Sequence, residues 1–191
     1  MRPLDLDPGG YRGSYKLVGG RPALDLINTV SWPATGHPHD WLDSIANLQR
    51  WLGAVGLPAP PARHNELPLA LEIREVATSV LRPLAHGEAP PRSAVERLND
   101  RVAAAAVRRV IDPATLAWRW KKPANVADSL APVVLDAADL VTAGEHQRLR
   151  FCPACGWLFE DQTRNGRRRW CDMADCGSRD KARRYYRRSQ Q

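Results

Sequence analysis

The chain has 191 residues, 43% hydrophobic and 26% charged, an ordinary balance for a soluble protein and enough for one modest domain plus a small module. No stretch is long and apolar enough to span a membrane, and no internal repeat is visible. The formal net charge of +7 is unevenly placed: residues 148–191 hold 12 Lys/Arg against 5 Asp/Glu, whereas residues 1–147 hold 16 against 16.

Taken in order, residues 1–16 are Pro/Gly/Asp-rich and predict irregular chain, with a short strand at Tyr15–Val18. The N-terminus has neither an apolar core nor a cleavage site, so a reducing, cytoplasmic setting is expected. Pro22 suits the first position of a helix running toward Val30. Asp25 and Asn28 lie within one turn of each other on it and could line a ligand pocket or cap helix ends. The loop Trp32–Asp40 contains His37-Pro38-His39-Asp40, a weak metal-binding pattern more often found as surface decoration. Ser44 caps a helix to about Val55, and Leu57–Ala62 is a stiff Pro-rich connector. A long helix comes next over Leu67–Ala85, with Pro83 placed to end or kink it early. Ser93 and Glu96 have capping-box spacing at the start of the next helix, whose buried stripe is Val95, Leu98, Val102 and Ala105/Ala106. At Thr115–Lys121 the period changes to two, with Leu116, Trp118 and Trp120 on one face, which predicts a strand beside the helices. Asp128/Ser129 opens a last helix to Gly144, with Pro132 in its first turn. The short link Glu145-His-Gln147 then couples the helical part mechanically to the C-terminal segment.

The only four cysteines fall together: Cys152 and Cys155 as C-x2-C, then Cys171 and Cys176 as C-x4-C. Paired cysteines at close spacing supply two thiolates from one tight turn, and four thiolates close a tetrahedral zinc shell. Two disulfides would need an oxidising compartment; a redox pair would leave the second pair without a role; an iron–sulfur cluster takes the same four thiolates. Zinc is the reading favoured by spacing, compartment and a hairpin signal between the two pairs. Gly156 marks a sharp turn, Trp157–Gln162 reads as a strand, Asn165-Gly166 as a two-residue hairpin turn, and Arg167–Trp170 as the return strand. Parity then puts Trp157, Phe159 and Trp170 on one face. A closed four-sulfur shell leaves no position for a catalytic water, so function must reside in what the module displays.

What it displays is cationic. In a helix starting near Ser178, residues Ser178, Ala182, Tyr185 and Tyr186 form one stripe, fit to pack on the hairpin. Arg183, Arg184 and Arg187 lie opposite, flanked by Lys181 and Arg188. Arginine forks match phosphate and guanine edges, and a helix fits the major groove. Arg164, Arg167 and Arg169 on the hairpin could hold the backbone, with Arg179 at the helix start. A solvated tail that keeps the protein soluble is the alternative for any such charge run, but its Arg bias, amphipathic pattern and attachment to zinc favour nucleic acid.

Residues 148–191, above all Cys171-Asp-Met-Ala-Asp-Cys176-Gly-Ser-Arg-Asp-Lys-Ala-Arg-Arg184, resemble the CGNR zinc finger. So do Cys155–Asp161 and Arg164–Cys171. At the name-giving position Ser178 stands where the family has Asn; both residues can cap a helix, and the zinc ligands are untouched. Gly19–Val30 resembles the opening of the ABATE domain, which commonly precedes such a finger; with Trp51-Leu52 downstream, the resemblance spans essentially the whole chain. The expected architecture is mainly α with a small β component: a helical ABATE-like domain over residues 1–147, serving as sensor or dimerisation unit, and a treble-clef-like four-cysteine zinc finger over residues 148–191. The resemblance implies a bacterial transcription regulator that binds duplex DNA, with a small-molecule effector and a homodimer as further partners. An RNA-binding or ribosome-associated module is the second reading, to be favoured if Tyr185 and Tyr186 face solvent, and a zinc-scaffolded adaptor the third. The chain has no GxSxG, P-loop, HExxH or dinucleotide fingerprint, so no enzymatic activity is expected.

Overall fold

Pro22 starts helix α1 (Pro22–Ile27), whose Ala23, Leu24, Leu26 and Ile27 are all buried. Its N-terminus is held from outside: Asp136 accepts from the Ala23 amide at 2.9 Å and pairs with Arg21 at 2.7 Å. A computed structural model describes residues 3–32, 38–61 and 63–189 of the chain. Strands β1 (Val30–Ser31) and β2 (His39–Asp40) pair antiparallel, and helix α2 (Ile45–Ala54) begins at Ser44, whose hydroxyl accepts from the Asn47 amide at 3.2 Å. Tyr15, Val18, Trp41, Trp51 and Leu52 are buried in the same core as α1, but Tyr15–Val18 adopts no strand. Instead the Tyr15 carbonyl accepts from the Leu4 amide, and the Tyr15 hydroxyl donates to the Asp25 carbonyl and accepts from Trp51 Nε1.

Helices α3 (Leu67–Ala85), α4 (Arg92–Ala106) and α5 (Val126–Thr142) pack on one another, and α1 lies across α3 and α5. Pro83 does not shorten α3. It sits in the last turn, and the helix closes beyond it with Gly87 at φ +76° and the Glu88 and Gly87 amides bonded to the Pro83 and Leu84 carbonyls. Ser93 does not cap α4 either: the helix starts one residue earlier, and Glu96 pairs with Arg92. The stripe buried on α4 is Ala94, Leu98 and Ala105, with Val102 half-buried. Helix α5 likewise starts earlier than expected, at an Asn125 cap that accepts from the Asp128 amide, so Pro132 falls beyond the first turn.

Between α4 and α5, the expected strand is β4 (Trp118–Trp120); it pairs with β3 (Arg109–Ile111), but this hairpin stands in water: Trp118 is 59% and Leu116 81% exposed. The C-terminal module contributes β5 (Leu149–Phe151), β6 (Leu158–Glu160), a π-helical turn (Met173–Gly177) and helix α6 (Ser178–Ser189). The fold is thus mainly helical, with three separate two-stranded ladders among the described residues. No described helix is long and apolar enough to cross a membrane.

Candidate metal centre and nucleic-acid interface

The first pair of cysteines sits where β5 turns into β6. The Cys152 amide donates to the Trp157 carbonyl and the Gly156 amide to the Cys152 carbonyl, both at 2.9 Å, closing a knuckle that needs φ +77° at Gly156. β6 therefore pairs with β5, in the register Leu149↔Glu160, Arg150↔Phe159 and Phe151↔Leu158, and not with residues 167–170. The segment after Asn165-Gly166 is no strand. It is tied down by the buried Asp161, whose carboxylate accepts from the Thr163 amide and hydroxyl and from the Arg168 amide. An Asn-Gly turn gives a hairpin only where both flanks can pair, and here one edge of β6 is occupied by β5 while Asp161 captures the returning chain. The aromatic cluster is redistributed accordingly. Phe159 lies under the Arg168 guanidinium, whereas Trp157 packs edge-on against Tyr15 and donates to the Val30 carbonyl at 2.9 Å.

Of the second pair, Cys171 precedes the π-helical turn and Cys176 lies within it; the turn is capped by Asp172 through the Ala174 amide. Ser178 is therefore not a cap: its backbone is already helical, and its hydroxyl reaches the Met173 carbonyl at 3.4 Å. All four Sγ atoms lie within 4.8 Å of one another, with Cys155–Cys171 at 3.5 Å and Cys171–Cys176 at 3.7 Å. A tetrahedron of sulfurs with metal–sulfur bonds of about 2.3 Å has edges of about 3.8 Å, so the spacing fits one zinc ion. The donor chemistry agrees. Four thiols packed this closely cannot all ionise by themselves: the neighbouring Cys152 sulfur pushes Cys155 and Cys171 up, while hydrogen bonds from Cys155 and Cys171 push Cys152 down. A divalent cation at the centre supplies the positive charge that four thiolates need. Arg179 adds to it from outside, donating to Cys176 Sγ at 3.2 Å while its Nε pairs with Asp175. Arg168 donates to the Trp170 and Cys171 carbonyls and so fixes the approach to the third ligand.

The other expected site residues fall into two groups. Lys181, Arg183, Arg184, Arg187 and Arg188 all project from α6, which has no buried residue, and Arg164, Arg167 and Arg169 are exposed on the segment before Cys171. Arg169 stacks on Trp170 and Arg184 pairs with Asp180 along the helix. The expected packing of Tyr185 and Tyr186 on the hairpin does not occur: they are 70% and 66% exposed. Asp25 and Asn28 are both buried and bonded to backbone groups of other segments. Asp25 accepts from the Gly19 amide at 2.8 Å, and burial pushes its carboxyl up to about 7. Asn28 donates to the Leu158 carbonyl at 2.7 Å and accepts from the Leu158 amide at 2.8 Å, occupying the free edge of β6 as another strand would. Of the His-Pro-His-Asp pattern, His37 lies outside the described residues, and Asp40 is held in a bidentate pair by Arg74.

The family model of ABATE, described as "Putative stress-induced transcription regulator", matches residues 20–144, and that of the CGNR zinc finger matches residues 148–189. This chain is an ABATE protein with a CGNR zinc finger. No curated protein matches it. In this ABATE–CGNR chain the finger is bound tightly to the helical part. Besides Asn28 and Trp157, Gly19 accepts from the Glu160 amide, Lys16 bridges Asp172 and Asp175 at 3.3 Å each, and Arg82 of α3 approaches the Gly156 carbonyl. Sequence reasoning missed Lys16, Arg82 and Asp161. Their partners lie in other segments or in a turn that carries no periodic signal; only Asp161, next to an Asn-Gly turn, had a local cue.

Proposed function

We propose that this ABATE–CGNR protein is a DNA-binding transcription regulator and acts by binding, not as an enzyme. The observation that carries this is α6: it leaves the metal centre directly after Cys176, buries nothing, and presents Lys181, Arg183, Arg184, Arg187 and Arg188 to solvent. The zinc-held turn fixes the root of a cationic helix whose width suits the major groove, and Arg164, Arg167 and Arg169 are available for backbone phosphates. The helical ABATE part supplies the regulation, through a small ligand or through pairing of two copies. Exposure of Tyr185 and Tyr186 favours a second reading, in which unpaired RNA bases stack on these rings.

The test compares duplex DNA with single-stranded RNA at matched salt. Duplex affinity should fall with salt at a log–log slope of about −3 to −5, as for three to five neutralised phosphates. Arg183→Ala with Arg187→Ala should weaken duplex binding at least tenfold and flatten that slope by about 2. Unchanged binding would remove α6 from the interface. Stronger RNA binding that is lost in Tyr185→Ala with Tyr186→Ala would replace the first reading by the second.

A further inference from the structure

A cleft of about 1170 Å³ opens between the N-terminal segment Gly10–Lys16, the end of β1 and the zinc knuckle. Its walls join the two halves of the molecule. Tyr11, Trp32 and His39 come from one side; Cys155, Cys171, Cys176, Arg179 and Arg183 come from the other. The aromatic wall is pre-arranged: the Tyr11 and His39 rings stack at 4.4 Å and 10°, and Trp32 is 52% exposed. The His39 Nε2 atom is shut off from water and has no hydrogen-bond partner among the described residues.

The charges of the cleft are unequally used. Lys16 is held between Asp172 and Asp175, and Arg179 between Asp175 and the Cys176 sulfur. That accounts for both carboxylates in the lining. Arg12 and Arg183 are left with no acidic partner among the described residues, and both are exposed. A concave site with flat aromatic surfaces and two unneutralised guanidinium forks matches a ring that carries an oxyanion: the ring stacks, and the anion takes a planar fork.

We propose that this cleft binds a planar aromatic ligand bearing a carboxylate or a phosphate, and that it is the effector site of the regulator. The role as effector site rests on the function proposed above; the binding itself does not. Arg183 lies both in the cleft lining and on the face of α6 offered to nucleic acid, so an anion that engages it competes with a phosphate for the same guanidinium. An occupied cleft therefore weakens nucleic-acid binding. The two sources of this chemistry, a free aromatic acid and a nucleotide, are separated by the choice of probe.

The experiment is calorimetric titration of the full-length, zinc-loaded protein with benzoate and with AMP. Benzamide and adenosine serve as uncharged counterparts, acetate and inorganic phosphate as ringless ones. One of the two aromatic anions should saturate a single site with Kd below about 1 mM, and its neutral and ringless counterparts should bind at least tenfold more weakly. Trp32→Ala and Arg12→Ala should each weaken binding at least tenfold without changing the melting temperature; both side chains are exposed and neither is a zinc ligand. Saturation by benzoate assigns a free acid, and by AMP a nucleotide. The proposal is overturned if neither saturates by about 10 mM, if the neutral counterparts bind equally well, or if both variants bind like the unaltered protein. Ligand binding in a protein that binds no nucleic acid would sink the regulator reading and leave the site standing. Nucleic-acid binding with no response to either anion would do the reverse.

Discussion

Asn28 shows how much one side chain carries here. Its amide pairs with both backbone groups of Leu158, which is fully buried, so the free edge of β6 is closed without a strand. Asn28→Ala leaves a donor and an acceptor unpaired in a dry interface, and should cost about 2–3 kcal/mol in urea unfolding of the zinc-loaded protein. Asn28→Asp should not rescue it, because a carboxylate oxygen then faces the Leu158 carbonyl. Asp25 behaves differently, since burial raises its carboxyl to about 7, against the lowering bonds from the Gly19 and Val18 amides. An unfolded aspartate titrates near about 3.9. Between these values the folded chain keeps a proton that the unfolded chain has lost, so the stability from this group falls as pH rises from about 4 to about 7 and is level above that. Asp25→Asn lacks that titration, and its stability relative to the unaltered protein should climb across the same window, measured by urea midpoints at pH 5, 6, 7 and 8. A difference that stays flat with pH would mean that Asp25 is already ionised in the fold.

Among the elements, the decisive one is the β5–β6 knuckle. It takes two zinc ligands from one turn, and its φ +77° position favours Gly156. Gly156→Ala should destabilise by about 1 kcal/mol through left-handed strain alone, with zinc still bound at one per chain. The chain beyond β6 is held by a carboxylate and not by a ladder, so Asp161→Ala should release three donors at once, at a cost of about 2 kcal/mol. A loss under about 0.5 kcal/mol would show that water replaces Asp161 without penalty. Helix α6 has the opposite character. It buries nothing, so its alanine variants should alter binding and leave the melting temperature within about 1–2 °C of the unaltered protein.

At the scale of the whole molecule, the metal centre and the helical part share an interface. Trp157 lies two residues beyond a zinc ligand and packs on Tyr15 inside the core of the helical part, while Lys16 ties Asp172 and Asp175 to the N-terminal segment. Zinc removal should therefore reach beyond residues 148–191. A chelator should collapse the near-UV dichroism of Trp157 and also lower the melting temperature of the helical part. An unchanged near-UV spectrum after chelation would count against a structural metal, and a lost signal with unaltered helical melting would count against the shared interface.

The four zinc ligands, the arginine-bearing helix and the spans of α2 and α3 were legible in the residues themselves, because spacing, capping and helical period are local properties. Strand pairing was not. The Asn165-Gly166 signal is real as a turn, but which strand lies beside β6 depends on Leu149–Phe151 and on Asn28, which arrives from 130 residues away. Periodicity at Trp118 and Trp120 gave the strand β4, yet could not name its partner β3 or say that no element would cover the pair. The same limit applies to α6, where a stripe fit for burial remains in water, and to Asp25 and Asn28, whose roles are set by the partners that tertiary packing brings to them. Local chemistry is written in neighbouring residues; burial and long-range hydrogen bonds are settled only when distant segments compete for the same surface.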